Sequence, residues 1–269
     1  MSQKSVYLLL GIVLQNNMRK WFKKDTDIVL DCYTYNPYAY NFAKVNHGSY
    51  YIPEWWKKTP RHIEDSLTIK DCPAIIEYYK KGIVIPMWCE FEFIINPKGH
   101  EDLFTWKSAQ NDFSVAEHAQ EQFKGFTKAD GHNIKIASPW YIKCREDIKF
   151  TFTQPVWSQR DTMFNFVLTP GIVSFKSQME CNLNYFYEQT DKRQVVNISP
   201  LTPVAIMHAM SDRKIKLNHH LVTSRDSQGN KTLGHPSHGL FLNTPLKLLS
   251  KRKKKVFEKI DNIEKGPFV

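Results

Sequence analysis

Residues 181–187 read CNLNYFY, and the reading of this stretch decides the fold. Cys181, Leu183, Tyr185 and Tyr187 fall on every second position, with Asn182 and Asn184 between them. A two-residue period is that of a strand with one face in a core and the other facing water. Upstream, IKFTFT repeats the pattern, setting Ile148, Phe150 and Phe152 against Lys149, Thr151 and Thr153. NIKIA, MFNFVL, GIVSF, VVNIS, PVAIMHAM and RKIKL add short strands, and Pro139, Pro155, Pro170, Pro200 and Pro203 separate many of them. Short, evenly spaced strands with turn residues between them predict a mainly β protein with peripheral helices, an antiparallel β-sandwich or jelly roll.

Further toward the N-terminus, TIKDCPAIIEYYKKGIVIPMW (68–88) joins a helix to a strand. Pro73 suits the first helical turn, where its missing N–H costs nothing, so Cys72 becomes the cap. Gly82 is placed for the left-handed position that ends a helix. From Ile83 to Ile95 the chain reads as one strand, with Cys89, Phe91, Phe93 and Ile95 on one face and Trp88, Glu90, Glu92 and Ile94 on the other. A second helix is predicted over SVAEHAQEQFKG, where Ser114 and Glu117 have capping-box spacing and Gly125 supplies the stop.

The organisation expected is a single domain over 1–269. Residues 1–82 form an aromatic-rich segment and helix packed on the sheet, and 83–217 the sandwich core. Residues 245–264 form a basic amphipathic helix with Leu246, Leu249, Val256, Ile260 and Ile263 on one stripe. The apolar fraction of 42% is ample for such a core and argues against disorder. The run VYLLLGIVL (6–14) has the length of a signal-peptide core but no small-residue cleavage site after it, and it is too short to span a bilayer. Five scattered cysteines without a CxxC pair read as reduced thiols. A cytosol-like location is expected, neither secreted nor membrane-spanning.

The net charge of +10 favours acidic partners, although five of those charges stand together in KRKKK (251–255). Three constellations could carry function. His219, His220, His235 and His238, with Asp226 among them, supply imidazole and carboxylate ligands suited to zinc or iron, although adjacent His219 and His220 must diverge if they lie on a strand. Glu90 and Glu92 share a strand face, as paired catalytic acids would. YTYNPYAYNF and YYIPEWWKKTP interleave aromatics with cations; here Trp55, Trp56, Lys57 and Lys58 are candidate contacts, since such rings either stack on a ligand or seal an irregular segment. No GxGxxG or Walker loop is present, which disfavours a dinucleotide enzyme or a nucleotide-driven motor.

Together, YTYNPYAY, IPEWWKK, TIKDCPAIIEYYKKGIVIPMW, SPWYI, LTPGIVSF and ISPLTPVAIMHAMSDRKIKL resemble a family of tailed-phage proteins, found in T4-like phages and cyanophages, to which no activity is attached. The resemblance spans about residues 27–217. A fainter likeness links Gly171-Ile172-Val173 and Thr202-Pro203-Val204 to the last strands of trimeric dUTPase-like proteins. Ser174-Phe175 stand where that family has its catalytic aspartate, and Pro200-Leu201 where it has a glycine. With no motif that has the residue types and spacing of a known chemistry, and with aromatic and basic surface material plentiful, the reading expected is a non-enzymatic phage protein, in the virion or the host cytoplasm, that works through binding surfaces and needs no cofactor. A protein partner is expected, through Trp55, Trp56, Lys57 and Lys58 and through the Leu249, Val256 and Ile260 stripe. Nucleic acid on the basic surface and self-association stay open. The rival readings are a nucleotide-binding or nucleotide-hydrolysing β protein and a histidine-ligated metal enzyme.

Overall fold

In the computed structural model, residues 26–110, 115–123, 131–158 and 166–222 are described. The strands in chain order are β1 (Ile28–Thr34), β2 (Asn46–His47), β3 (His62–Ile63), β4 (Ser66–Leu67), β5 (Gly82–Pro86) and β6 (Phe91–Ile95). There follow β7 (Phe104–Ser108), β8 (Val115–His118), β9 (Gly131–Cys144), β10 (Lys149–Thr153) and β11 (Val167–Leu168). The last are β12 (Gly171–Ser174), β13 (Glu180–Glu188), β14 (Gln194–Ile198), β15 (Pro203–Ala209) and β16 (Ile215–Leu221). Helices α1 (Pro37–Phe42), α2 (Glu54–Lys58) and α3 (Pro73–Lys81) lie at the periphery. The protein is mainly β, with several antiparallel sheets in a sandwich-like arrangement and helices outside them. Among the described residues no helix is long and apolar enough to cross a membrane.

The long strand β9 organises the largest sheet, which runs β11-β13-β9-β1-β16. On one edge it pairs with β13; on the other it pairs first with β8 and then, toward its C-terminal end, with β1. The alternation in 181–187 holds throughout β13, so Cys181, Leu183, Tyr185 and Tyr187 enter the core. Pro139, expected to separate strands, lies inside β9. It sits where the register slips between the Tyr141–Glu180 and Ala137–Asn182 pairs, and a bulge is where a strand interior tolerates a residue without an N–H.

The second sheet runs β12-β10-β15-β5-β2 and a third runs β14-β6-β7. One continuous apolar cluster joins the sheets, drawing Leu30, Ile136, Trp140 and Leu183 from the first, Ile85, Phe150 and Met207 from the second, and Phe91 and Phe93 from the third. Phe93 stacks on Phe104 at 4.9 Å and meets Phe166 and Tyr187 edge-on, which pins the three-stranded sheet to β13. The Tyr185 hydroxyl donates to Val204 O on β15, so a buried phenol on the first sheet is satisfied by the second.

Several expectations need correction. Val115–His118 is a strand on β9, not the start of a helix; the spacing of Ser114 and Glu117 loses to the free edge of β9. The stretch 83–95 is two strands in different sheets. After Pro86 the chain bonds through Met87 N to Thr202 O and through Met87 O to Leu201 N, then turns away. The sheet is not wholly antiparallel, because β1 pairs with β16 in parallel. Residues 28–34, placed by the sequence in a packed-on N-terminal segment, therefore form an interior strand of the largest sheet.

Helix α3 begins as expected, with Cys72 as cap and Pro73 in the first turn. It buries Ile75 and Tyr79 against the outer side of the second sheet, where Val84 and Ile206 are also buried. Gly82 does end it, but in extended conformation (φ −73°, ψ 146°) rather than left-handed. The requirement is spatial: a Cβ there would lie 2.6 Å from Tyr78 O and against the Ile206 side chain. The reversal from helix to strand is that tight because strand β5 starts at the residue that closes the helix.

Candidate functional site

The aromatic segment is built to hold rings at the surface. Asn36 Oδ1 accepts from Ala39 N at 2.9 Å and Pro37 follows it, which together start α1. The helix buries Ala39 and turns Tyr38 and Phe42 outward, four residues apart, with ring centroids 5.0 Å apart. In the following 3₁₀ turn, Gly48–Tyr51, Tyr50 is 73% exposed. Its neighbour Tyr51 turns in and donates to Lys44 O at 3.3 Å, and burial pushes its phenol up to about 12.

In α2 the four candidate residues divide. Trp55 stays half-exposed; its indole N–H donates to Trp157 O at 3.0 Å, which fixes the ring without covering it. Trp56 folds back under Lys70, whose Nζ stands 4.4 Å over the ring and donates to Trp56 O at 2.9 Å and Lys57 O at 2.7 Å. Lys57 pairs with Glu54 at 2.6 Å, both exposed, and Lys58 faces solvent. So Trp56 seals the segment while Trp55 and the two lysines are displayed. Ile63, Leu67 and Ile69 add exposed apolar side chains nearby in the chain. Cations Lys44, Lys57, Lys58, Arg61 and Lys70 are offset by Glu54, Glu64, Asp65 and Asp71, so this stretch carries little net charge.

The histidines of β16 diverge, as alternation on a strand requires. His219 Nε2 lies 2.7 Å from Val45 O and the ring meets Trp140 edge-on; burial lowers its pKa, opposed in part by the carbonyl. His220 faces the other way, stacked on Tyr33 at 4.6 Å with Nε2 3.1 Å from Asp31 Oδ1. Asn218 Nδ2 donates to the same oxygen at 3.0 Å. Burial pushes the Asp31 carboxyl up, but these two bonds and the charges of His220 and Arg145 outweigh it and hold it below the ordinary value. The carboxylate thus orients the imidazole on the outer face of the sheet. Among the described residues no three histidine, cysteine or acidic side chains gather as a metal site. His235, His238 and Asp226 lie outside the described residues, as do Leu249, Val256, Ile260 and all of 245–264, the stretch expected from the sequence to be a helix.

Glu92 is 3.4 Å from Lys107 on the neighbouring strand. The thiols of Cys32, Cys144 and Cys181 are pushed up by burial and kept protonated.

A cleft of about 290 Å³ opens at the edge of the largest sheet, where the chain crosses from β11 to β12. Lys135, Glu180, Asn182 and Asn184 come from β9 and β13, and Thr169, Pro170 and Gly171 from the crossing. Thr169 N donates to Asn184 O at 2.8 Å, and Gln154 brackets the crossing by accepting from Leu168 N at 3.0 Å and donating to Phe166 O at 2.8 Å. Asn184 Oδ1 and Thr169 Oγ1 are buried with no hydrogen-bond partner. Sequence reading overlooked this site, although the alternation in 181–187 already places Asn182 and Asn184 on one face. No family model matches the sequence, and no curated protein matches it.

Proposed function

We propose that the chain is a non-enzymatic binding protein of a tailed phage, acting in the virion or on a host target, and that it meets a protein partner through the surface of residues 37–72. The observation that carries this reading is the display of large apolar side chains there: Tyr38, Phe42, Tyr50, Trp55, Ile63, Leu67 and Ile69 are all exposed. Exposed apolar surface costs solubility and is kept where something covers it. The rings are held by a capped helix and by the Trp55 bond to Trp157 O, and fixed aromatics lose little entropy on binding. The near balance of acidic and basic residues in the segment favours a protein over nucleic acid, whose binding draws on a surplus of cations.

The test is recovery of bound proteins from infected host cells with the wild-type chain and a Tyr50→Ser/Trp55→Ser variant. The reading expects one partner, a virion or host protein, that is lost from the variant while the melting temperature is unchanged. An identical set of bound proteins for both chains would refute the assignment of this surface.

A further inference from the structure

We propose that the basic stretch 245–264 of the same chain docks on the β3–β4 hairpin, His62–Leu67, and covers that end of the 37–72 surface until a partner takes its place. This rests on the reading of 37–72 as a binding surface and names what occupies it in the free protein. The hairpin is a fixed platform. Thr68 closes its base, its N–H donating to Arg61 O at 2.9 Å and its hydroxyl to Pro60 O. Ile63 and Leu67 stand 59% and 70% exposed, so each still has most of its apolar surface to bury. The two-residue turn between the strands carries Glu64 and Asp65, both exposed. Among the described residues neither carboxylate has an ion pair or a hydrogen bond. The other acids of the segment differ, since Glu54 pairs with Lys57 and Asp71 stands 3.7 Å from Arg61. Glu64 holds its place at φ 52°, in the left-handed region where glycine or asparagine is the ordinary choice. The hairpin thus presents an uncompensated acidic tip flanked by apolar side chains.

The stretch 245–264 has the complementary chemistry. Leu246, Leu249, Val256, Ile260 and Ile263 recur at helical spacing, and seven Lys and Arg stand against three acids. A lone amphipathic stretch of this length is marginal as a helix in water and gains by laying its apolar stripe on a surface. Residues 26–222 hold as many acids as cations, so the whole surplus of +10 lies in the two terminal stretches. Attraction therefore runs from those stretches to the unpaired acids of the body. The point of departure also favours contact. Val222 N donates to Thr34 O at 2.8 Å, two residues before the Asn36 cap of α1, so the chain leaves β16 where the 37–72 segment begins. The linker from 223 to 244 reaches about 26 Å as a flexible coil and about 75 Å at full stretch. Such a tether holds the two partners at an effective concentration on the order of millimolar.

The test puts a benzophenone side chain in place of His62, which is exposed and leaves Ile63 and Leu67 intact. The purified full chain is irradiated in dilute solution, and the crosslink in the monomer is mapped by mass spectrometry. Position 62 is expected to join a residue within 245–264 of the same chain, and a probe at the exposed Met210 to give no such product. Leu249→Asp/Ile260→Asp should lower the yield by at least about tenfold, the loss of one buried apolar side chain or more. Glu64→Asn/Asp65→Asn keeps a residue suited to the turn, removes both charges and should lower the yield several-fold. The proposal is overturned if position 62 gives no crosslink, or joins residues 1–25 or a second copy instead. It is equally overturned if position 210 gives the same product, or if either pair of substitutions leaves the yield unchanged. Nothing from an infected cell enters this experiment. Its failure leaves the partner reading of the 37–72 surface standing, and failure to recover a partner leaves this crosslink unaffected.

Discussion

Replacing Gly82 with alanine tests the junction on which α3 and β5 depend. The backbone there has φ −73°, a value alanine adopts freely, so no backbone strain arises. The effect comes from one added methyl, which would lie 2.6 Å from Tyr78 O and against Ile206, a residue with no exposed surface. Tyr78 O also receives His208 Nε2 at 2.8 Å, so shifting that carbonyl disturbs a second contact. Overpacking of this kind costs about 1–3 kcal/mol, and the stiffer unfolded chain returns about 0.4–1 kcal/mol. The net loss is about 1–2 kcal/mol, which for a chain of this size lowers the melting midpoint by about 5 °C. Scanning calorimetry on Gly82→Ala, with Gly171→Ala as control, reads it directly. The control meets nothing within 4 Å and should match wild type or exceed it by up to about 1 kcal/mol, the gain from the stiffer unfolded chain. A Gly82→Ala midpoint equal to or above wild type would refute the close-approach reasoning.

Leu183 is fully buried in β13, and Leu183→Ala should cost about 2–5 kcal/mol in urea unfolding; an unchanged midpoint would remove it from the core. Burial lowers the pKa of His47, His208 and His219, so the unfolded chain takes up protons that the folded chain resists. Their contribution is complete above the ordinary histidine value of about 6.5 and falls as pH drops below it. The lowered carboxyl of Asp31 adds a further loss at lower pH, below about 3.9 and on through its folded value. Urea midpoints should therefore decline from neutrality toward pH 5, and a flat or rising profile would contradict the assignment. Asn218→Ala removes one of the two bonds on Asp31 Oδ1, and the Asp31 pKa should rise in an NMR titration; a fall or no change would show that the bond contributes nothing.

Much of this architecture is legible in the chain, but only where the signal is local. The alternations in 149–153 and 181–187 survive intact because one face of each strand is buried and a slip of one residue would invert it. Cys72-Pro73 fixes a helix start by the chemistry of the proline alone. Val115–His118 shows the limit, since four residues with helical capping spacing also fit a strand, and the waiting edge of β9 decides between them. The parallel pairing of β1 with β16 joins residues nearly two hundred positions apart and leaves no local mark. Gly82 carries a correct stop signal for a different reason than expected, because the approach of Ile206 comes from β15. The tryptophans were visible as chemistry, yet only the fold separates displayed Trp55 from Trp56 under Lys70. The cleft escaped notice because Lys135, Thr169 and Asn184 are separated in the chain and only the fold brings them together.

The proposal that a protein partner covers the 37–72 surface is tested most directly by site-specific photocrosslinking in infected cells. A benzophenone side chain at position 50, in place of the most exposed aromatic of the segment, is compared with one at Met210, which is 62% exposed beyond the end of β15. The account predicts a discrete crosslinked product to one protein from position 50 and none from position 210. No product from position 50, or the same products from both positions, would contradict it.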